Sequence, residues 1–209
     1  MHEGEILAWT ETERLSFADL LESLADEDWS AKTLCTEWTV HAMAGHLAQT
    51  TRNRLKDTLV GIVKAKGNWD RMNVDQAVAY AARFTPAELV AQIREDAGSA
   101  RRSPGAKPVD PLADVLIHCQ DVARPLGIDR PMPEKPAIAA LEHLLVSPFW
   151  GAKKRCRDLR LIATDAEWSG GAGTEEVRGP LVDLLLSVSG RSTGLAALTG
   201  PGAALLGAR

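Results

Sequence analysis

The chain has 209 residues, of which 45% are hydrophobic and 25% charged, and its formal net charge at pH 7 is -4. This composition is typical of a folded globular domain, and it excludes both a disordered chain and the basic face of a nucleic-acid-binding protein. No apolar run reaches the length of a membrane span and the amino terminus lacks a secretion signal, so we expect a cytoplasmic protein without membrane or nucleic-acid partners. Cys35, Cys119 and Cys156 form no paired pattern, which favours a reducing compartment.

The first two predicted helices lie in the amino-terminal quarter of the chain. Apolar residues recur at helical spacing over residues 3–24, which predicts an amphipathic helix. Thr39 is a suitable cap for a second helix. On that helix Met43, His46 and Leu47 follow the i, i+3, i+4 spacing, so we expect His46 to face inward among apolar neighbours.

Two further helices are marked by a proline after a capping residue. Thr85-Pro86-Ala87-Glu88 has the residues of a capping box, and Asp110-Pro111 predicts another helix start by the same device. On the later helix a polar stripe of Asp114, His118 and Asp121 runs beside an apolar face. Four helices with such connections predict a mainly α bundle, a fold that places metal sites on facing helices.

The composition changes after Pro125-Leu126-Gly127, and three prolines then lie within six residues, at 131–136. A short helix is predicted over residues 137–146, a strand over 159–164, a glycine-rich turn over 169–173 and a helix over 180–188. We therefore expect a metal-binding helical bundle at residues 1–148 and a small α/β segment at residues 149–209. Because the second segment is too short for a core of its own, we expect it to pack on the bundle.

Three side chains predict a metal site. Asp114 and His118 are four residues apart, so on a helix they lie on one face. With His46 from another helix they supply three nitrogen and oxygen ligands and leave a fourth position open, as in a catalytic zinc site. Alternatives stay open for both carboxylates. Asp114 could instead be an acid in the first turn of the helix, where the helix dipole favours a negative charge. Asp121 could be the carboxylate ligand, a hydrogen-bond partner of a ligand imidazole, or an ion-pair partner of Arg124.

Other side chains have less specific interpretations. Cys119 follows His118 and is either a nucleophile, a fourth ligand or a small buried hydrophobe, and we expect the last. Three arginines are candidates for binding a carboxylated substrate or cofactor, with surface pairing as the alternative for each. They are Arg52, Arg83 and Arg124. We expect His41 at the surface and Trp29, Trp38 and Trp168 as packing anchors.

Three blocks of the sequence together resemble a known family. Trp38-Thr39-Val40 followed by Gly45-His46-Leu47 resembles the signature second helix of DinB-like bundle proteins, and within them the maleylpyruvate isomerase family of mycothiol-dependent enzymes. The stretch from Asp114 through His118-Cys119-Gln120-Asp121 to Gly127 resembles the family's second metal-binding helix. The carboxyl-terminal run resembles the family's tail in Ala163-Thr164-Asp165, Trp168, Gly171, Gly173, Val177, Gly179, Leu184-Leu185-Leu186, Gly190-Arg191, Leu198 and Gly200.

The resemblance implies a DinB-like up-down four-helix bundle that holds a divalent metal, usually zinc, through two histidines and a carboxylate. These are His46, His118 and Asp114 in this chain. The metal would bind the sulfur of mycothiol, the low-molecular-weight thiol of actinobacteria, as thiol cofactor. The family's isomerase adds this thiol to a cis double bond, and elimination after rotation gives the trans product. One departure is that the characterised isomerase type has a glutamate where this chain has Asp114, which is one methylene shorter.

The resemblance thus implies a zinc- and mycothiol-dependent enzyme, an isomerase or thiol S-transferase, acting on a small electrophilic molecule. Two other classes of function stay open. One is a metal-dependent hydrolase, in which the open position carries an activated water. The other is a non-catalytic metal-binding or ligand-sensing bundle. We expect a monomer or a homodimer.

Overall fold

The computed structural model describes residues 2–53, 55–103 and 105–209, and it divides into two compact units, Met1–Arg130 and Pro131–Arg209. In the described part of the first unit, helical segments follow one another along the chain. They are α1 (Glu3–Glu22), a 3₁₀ turn (Asp26–Ser30), α2 (Val40–Thr50), α3 (Leu55–Lys64), α4 (Trp69–Ala81), α5 (Pro86–Glu95) and α6 (Asp110–Ala123).

Side-chain caps explain where two of these helices begin. The Thr39 hydroxyl accepts a hydrogen bond from the backbone nitrogen of Ala42 at 3.2 Å, at the start of α2. At the start of α5, Glu88 N donates to Thr85 Oγ1 at 3.3 Å and Thr85 N donates to Glu88 Oε2 at 2.8 Å. Both predicted caps are confirmed.

The predicted cap at Asp110 is wrong. Val109 precedes α6 and Asp110 is its first helical residue. The Asp110 carboxylate instead accepts a hydrogen bond from the backbone nitrogen of Lys107 at 2.6 Å, in the preceding turn. Aspartate forms such local turns readily, and here the turn takes the side chain away from the helix amides.

The bundle is formed by α1, α2, α5 and α6. Helix α1 packs on α5 and α6, and α2 packs on the same two helices. Their apolar faces meet in one buried cluster that includes Phe17, Leu21, Met43, Leu89 and Val115. The predicted mainly α bundle is confirmed.

Helices α3 and α4 have no counterpart in the sequence analysis. Several of their apolar residues are exposed, among them Val63 and Trp69. Helix α4 packs closely on α2, where a Cβ on Gly45 would lie 2.6 Å from the Cβ of Ala81. Glycine at this position therefore allows the two backbones to approach.

The second unit combines short helices with a small sheet. In chain order its elements are α7 (Glu134–Val146), α8 (Ala152–Arg155), β1 (Leu159–Ala163), β2 (Ser169–Gly170), β3 (Glu175–Gly179), α9 (Leu181–Val188), a 3₁₀ turn (Ser192–Ala197) and α10 (Pro201–Gly207). Strand β1 lies between its neighbours, antiparallel to β2 and parallel to β3. The predicted strand and the helix predicted over residues 180–188 are confirmed to within one residue at each end, and the helix predicted over residues 137–146 begins three residues earlier, at Glu134. The start of the predicted glycine-rich turn forms β2.

Helix α7 packs with α9 in this unit. The sequence-based boundary after residue 148, and the docking of residues 149–209 on the bundle, stay predictions. Among the described residues, no helix combines the length and apolar character that a bilayer crossing requires.

Candidate metal centre

The structure brings together the three side chains that the sequence singled out for a metal. Helix α2 supplies His46, and α6 supplies Asp114 and His118, which are separated by one helical turn. His46 Nε2 lies 3.4 Å from Asp114 Oδ2, and His118 Nε2 lies 3.3 Å from Asp114 Oδ1. The three donor atoms lie within 4.8 Å of one another. We call this set of three residues the centre.

Asp114 and His118 each stabilise the charged form of the other. Burial raises the pKa of Asp114, but its interactions with the imidazoles of His118 and His46 outweigh burial and hold that pKa well below its ordinary value. Burial lowers the pKa of His118, yet the Asp114 carboxylate and hydrogen bonding with Asp121 and Cys35 raise it well above its ordinary value. The carboxylate is therefore ionised, and a cation that binds Nε2 of His118 would compete with a proton for that nitrogen.

One donor atom of the centre lacks a hydrogen bond. His46 Nε2 is buried and has no hydrogen-bond partner among the described residues, although Asp114 Oδ2 is nearby. A buried imidazole nitrogen in that state is what a metal ligand presents before the ion binds. Two imidazole nitrogens and a carboxylate oxygen are also a donor set that zinc and other first-row divalent ions accept. The residues present thus fit a divalent metal.

Asp121 faces the other nitrogen of His118. Its Oδ2 lies 2.8 Å from His118 Nδ1, and its side chain is fully buried. The Cys35 thiol donates to the same oxygen at 3.3 Å. Asp121 is therefore placed to fix the orientation and tautomer of the imidazole whose Nε2 faces Asp114 and His46.

A second cluster with metal-ligand donors, Cys35, His118 and Asp121, shares this imidazole. It would use Nδ1 of His118, whereas the centre uses Nε2. Because Nδ1 is within hydrogen-bond distance of Asp121, the geometry favours Nε2 as the metal-binding nitrogen. Cys35 carried no sequence signal, because neither Asp121 nor His118 is near it in the chain.

Trp38 lies against both imidazoles. Its ring centroid is 4.7 Å from that of His46, with the planes inclined by 32°, and 5.6 Å from that of His118. The side chain is 5% exposed. It packs as predicted, but the groups it packs against are the two histidines of the centre.

The three arginines proposed from the sequence make other contacts. Arg52 Nη2 lies 2.6 Å from Glu95 Oε2, and its Nε lies 2.6 Å from Asp96 Oδ2. The guanidinium of Arg83 lies over the rings of Tyr80 and Phe84, and Arg124 donates to the Gln120 side chain. None of these contacts is with the centre, and a role in substrate or cofactor binding stays a prediction for each.

Arg14 on α1 lies near Asp114 and was not predicted from the sequence as part of the site. It is 5% exposed, and its Nη1 donates to the carbonyl oxygens of Ala97 at 3.0 Å and Ser99 at 2.9 Å. Burial lowers the pKa of Arg14, while the charges of Asp114 and Asp96 oppose this effect. A buried cation thus adds positive potential near Asp114. Its position among apolar residues of α1 gave no sign of this role.

The remaining cysteines and His41 are less suited to chemistry. Cys119 is 1% exposed and burial raises the pKa of its thiol to about 12, as expected of a small buried residue. Burial likewise raises the pKa of Cys156 to about 11. His41 lies near the start of α2, as predicted, but it is half-buried, and its Nε2 lies 3.1 Å from the Phe84 carbonyl oxygen.

The family model described as the mycothiol maleylpyruvate isomerase N-terminal domain matches residues 10–125 of the chain. The chain belongs to this family. The match covers more than half of the sequence and includes His46, Asp114, His118 and Asp121. This membership identifies the chain as an enzyme of the mycothiol maleylpyruvate isomerase family.

Two solved structures share the fold of this family member. A crystal structure of a histidine-to-alanine mutant of the mycothiol-dependent maleylpyruvate isomerase has a TM-score of 0.64 at 13% identity. A crystal structure of the mycothiol-dependent maleylpyruvate isomerase without that mutation has a TM-score of 0.57 at 12% identity. Each comparison covers 96% of this chain and 93% of the other. The predicted bundle with a small α/β extension is thus the fold of that isomerase. A comparison with curated proteins finds no significant match.

Proposed function

We propose that this protein is a divalent-metal-dependent enzyme that uses mycothiol to act on a small electrophilic substrate, in a reaction of the isomerase type. The observation that carries the proposal is the convergence of His46, Asp114 and His118 within a chain that belongs to the mycothiol maleylpyruvate isomerase family. We propose zinc as the metal, since three nitrogen and oxygen donors with an open position match its catalytic sites.

Each residue has a distinct part in this proposal. His46 and His118 hold the cation through Nε2, and Asp114 binds it through a carboxylate oxygen. Asp121 keeps the Nδ1 proton of His118 in place, so that the lone pair of Nε2 faces the cation. A bound divalent ion would supply the acidity that turns a coordinated thiol into a thiolate, a usable nucleophile at neutral pH.

The substitution of aspartate for the family's glutamate is compatible with this arrangement. Both oxygens of Asp114 already lie within 3.4 Å of an imidazole Nε2, one on each histidine. The shorter side chain therefore reaches the place where the histidines meet. Asp114 is one turn from His118 on the same helix, and this spacing lets the two act from one face.

The experiment is calorimetric titration of mycothiol into metal-analysed protein, with and without prior chelation. We expect binding that requires the metal and that is lost in His46→Ala. If the metal-loaded protein does not bind mycothiol but hydrolyses esters or amides, the result would favour the hydrolase class instead. Metal-loaded protein with neither property would favour a non-catalytic bundle.

A further inference from the structure

The indole nitrogen of Trp38 is a buried hydrogen-bond donor without a partner. Among the described residues of Met1–Arg130, two buried side-chain polar atoms lack a hydrogen bond, Trp38 Nε1 and His46 Nε2. They belong to rings whose centroids are 4.7 Å apart. An unpaired buried donor costs about 1–3 kcal/mol, so its presence beside the centre calls for an explanation.

Among the described residues no acceptor forms a hydrogen bond with this donor. The atom is out of contact with solvent. The Trp38 and His46 planes are inclined by only 32°, which is closer to stacking than to an edge-on arrangement. Because the N–H bond lies in the indole plane, it does not point at the face of the His46 imidazole.

The backbone holds Trp38 firmly in this position. Its nitrogen donates to the Cys35 carbonyl at 2.7 Å, and its carbonyl oxygen accepts from the Thr33 nitrogen at 3.1 Å. The next residue, Thr39, caps α2. The backbone of Trp38 is thus fixed, and its buried indole packs against His46 and His118, so that little ordering is needed when a ligand binds.

We infer that Trp38 is a ligand-binding residue of the centre: its indole N–H donates a hydrogen bond to the sulfur of a thiolate bound there. This inference rests on the proposed function. The indole is a donor only and is uncharged, so it does not compete with the histidines for the cation. A donor that is left unpaired in the free protein gains a strong hydrogen bond when a negatively charged atom binds. The metal accounts for the unpaired His46 nitrogen and the thiolate accounts for the unpaired Trp38 nitrogen.

The first test compares Trp38→Phe with wild-type protein. Phenylalanine keeps an aromatic ring beside His46 and removes the N–H group. The matched control is Trp29→Phe, because Trp29 is buried in the same apolar cluster but lies edge-on to His41, outside the centre. Bound metal is measured by elemental analysis and mycothiol affinity by calorimetry. We expect unchanged metal content, an affinity roughly 10- to 100-fold lower in Trp38→Phe and wild-type affinity in Trp29→Phe.

The second test uses wild-type protein and does not depend on the variant folding. The six tryptophans give indole signals in a nitrogen-15 correlation spectrum of the zinc-loaded protein. We expect mycothiol to move one indole proton, that of Trp38, downfield as its hydrogen bond forms. Wild-type affinity in metal-loaded Trp38→Phe, or an indole spectrum without that shift, would overturn the inference while leaving the proposed function intact. A wild-type protein that does not bind mycothiol would overturn both.

Discussion

The Nδ1 atom of His118 lies 2.8 Å from Oδ2 of Asp121, whose side chain is fully buried. This contact decides which nitrogen of the imidazole faces the centre. With Nδ1 turned to Asp121, Nε2 faces Asp114 at 3.3 Å. The ring is thus held between two carboxylates that act on opposite nitrogens.

Asp121→Asn is expected to weaken metal binding without abolishing it. The amide keeps the shape of the side chain but removes the charge that fixes the His118 tautomer. Loss of such a partner typically costs roughly 10- to 100-fold in metal affinity. Competition with a chelator measures the affinity, and Asp110→Asn on the same helix is the control. An affinity equal to that of the wild type would contradict the orienting role of Asp121.

His46→Ala and His118→Ala are each expected to lose the bound metal, because two remaining donors hold a cation poorly. Metal per chain, measured by elemental analysis after gel filtration, should fall close to zero. His41→Ala is the control, since His41 lies on the same helix as His46 but contacts the Phe84 carbonyl. Full metal retention in the double variant of His46 and His118 would show that the ligands lie elsewhere.

The metal-free protein is expected to lose stability as the pH rises above about 6.5. The pKa of His118 is raised in the folded state, so its contribution is complete below the unfolded value and is lost as the pH passes the folded value. The pKa of Asp114 is lowered, so its contribution is present above about pH 3.9 and is lost in acid. Metal binding has the opposite trend at neutral pH, because the cation displaces the His118 proton.

Denaturant titrations at pH 5, 7 and 9 measure this dependence. The free energy of unfolding of metal-free wild type should fall from pH 5 to 9 more steeply than that of His118→Gln. Calorimetry in buffers of different ionisation enthalpy should detect a proton released on metal binding at pH 7. Parallel pH profiles for the two proteins would rule out this role of His118.

Gly45→Ala is expected to destabilise the bundle although alanine favours helix. The gain in helix propensity is about 1 kcal/mol. Against it, the new Cβ would lie 2.6 Å from the Ala81 Cβ and 3.0 Å from Ala81 backbone atoms, and such overpacking costs typically about 1–3 kcal/mol. Because Gly45 precedes His46, the shift of α2 should also lower metal affinity.

Gly4→Ala on α1 is the control for this substitution, since nothing lies within 4 Å of its Cβ position. It should be neutral or stabilising by up to about 1 kcal/mol. Thermal unfolding of both variants compares the two effects. A Gly45→Ala protein as stable as Gly4→Ala would contradict the close packing of α2 on α4.

Much of the fold follows from local sequence patterns. The caps at Thr39 and Thr85, the apolar faces of the bundle helices and the pairing of Asp114 with His118 on one face all depend on spacing within a helix. Such spacing fixes which side chains share a face whatever the helix packs against. Helices α3 and α4 were not predicted, and exposed apolar residues such as Val63 and Trp69 give little sign of what the two helices pack against.

By itself the sequence determined which residues of α2 and α6 could serve a metal, and the family that their motifs resemble. Only the tertiary structure decided that His46 meets Asp114 at 3.4 Å, that Asp121 lies behind His118, and that Trp38 keeps an unpaired donor beside both imidazoles. The physical reason is that distances between helices depend on packing at contacts such as Gly45 against Ala81. Periodicity within a helix does not encode those distances.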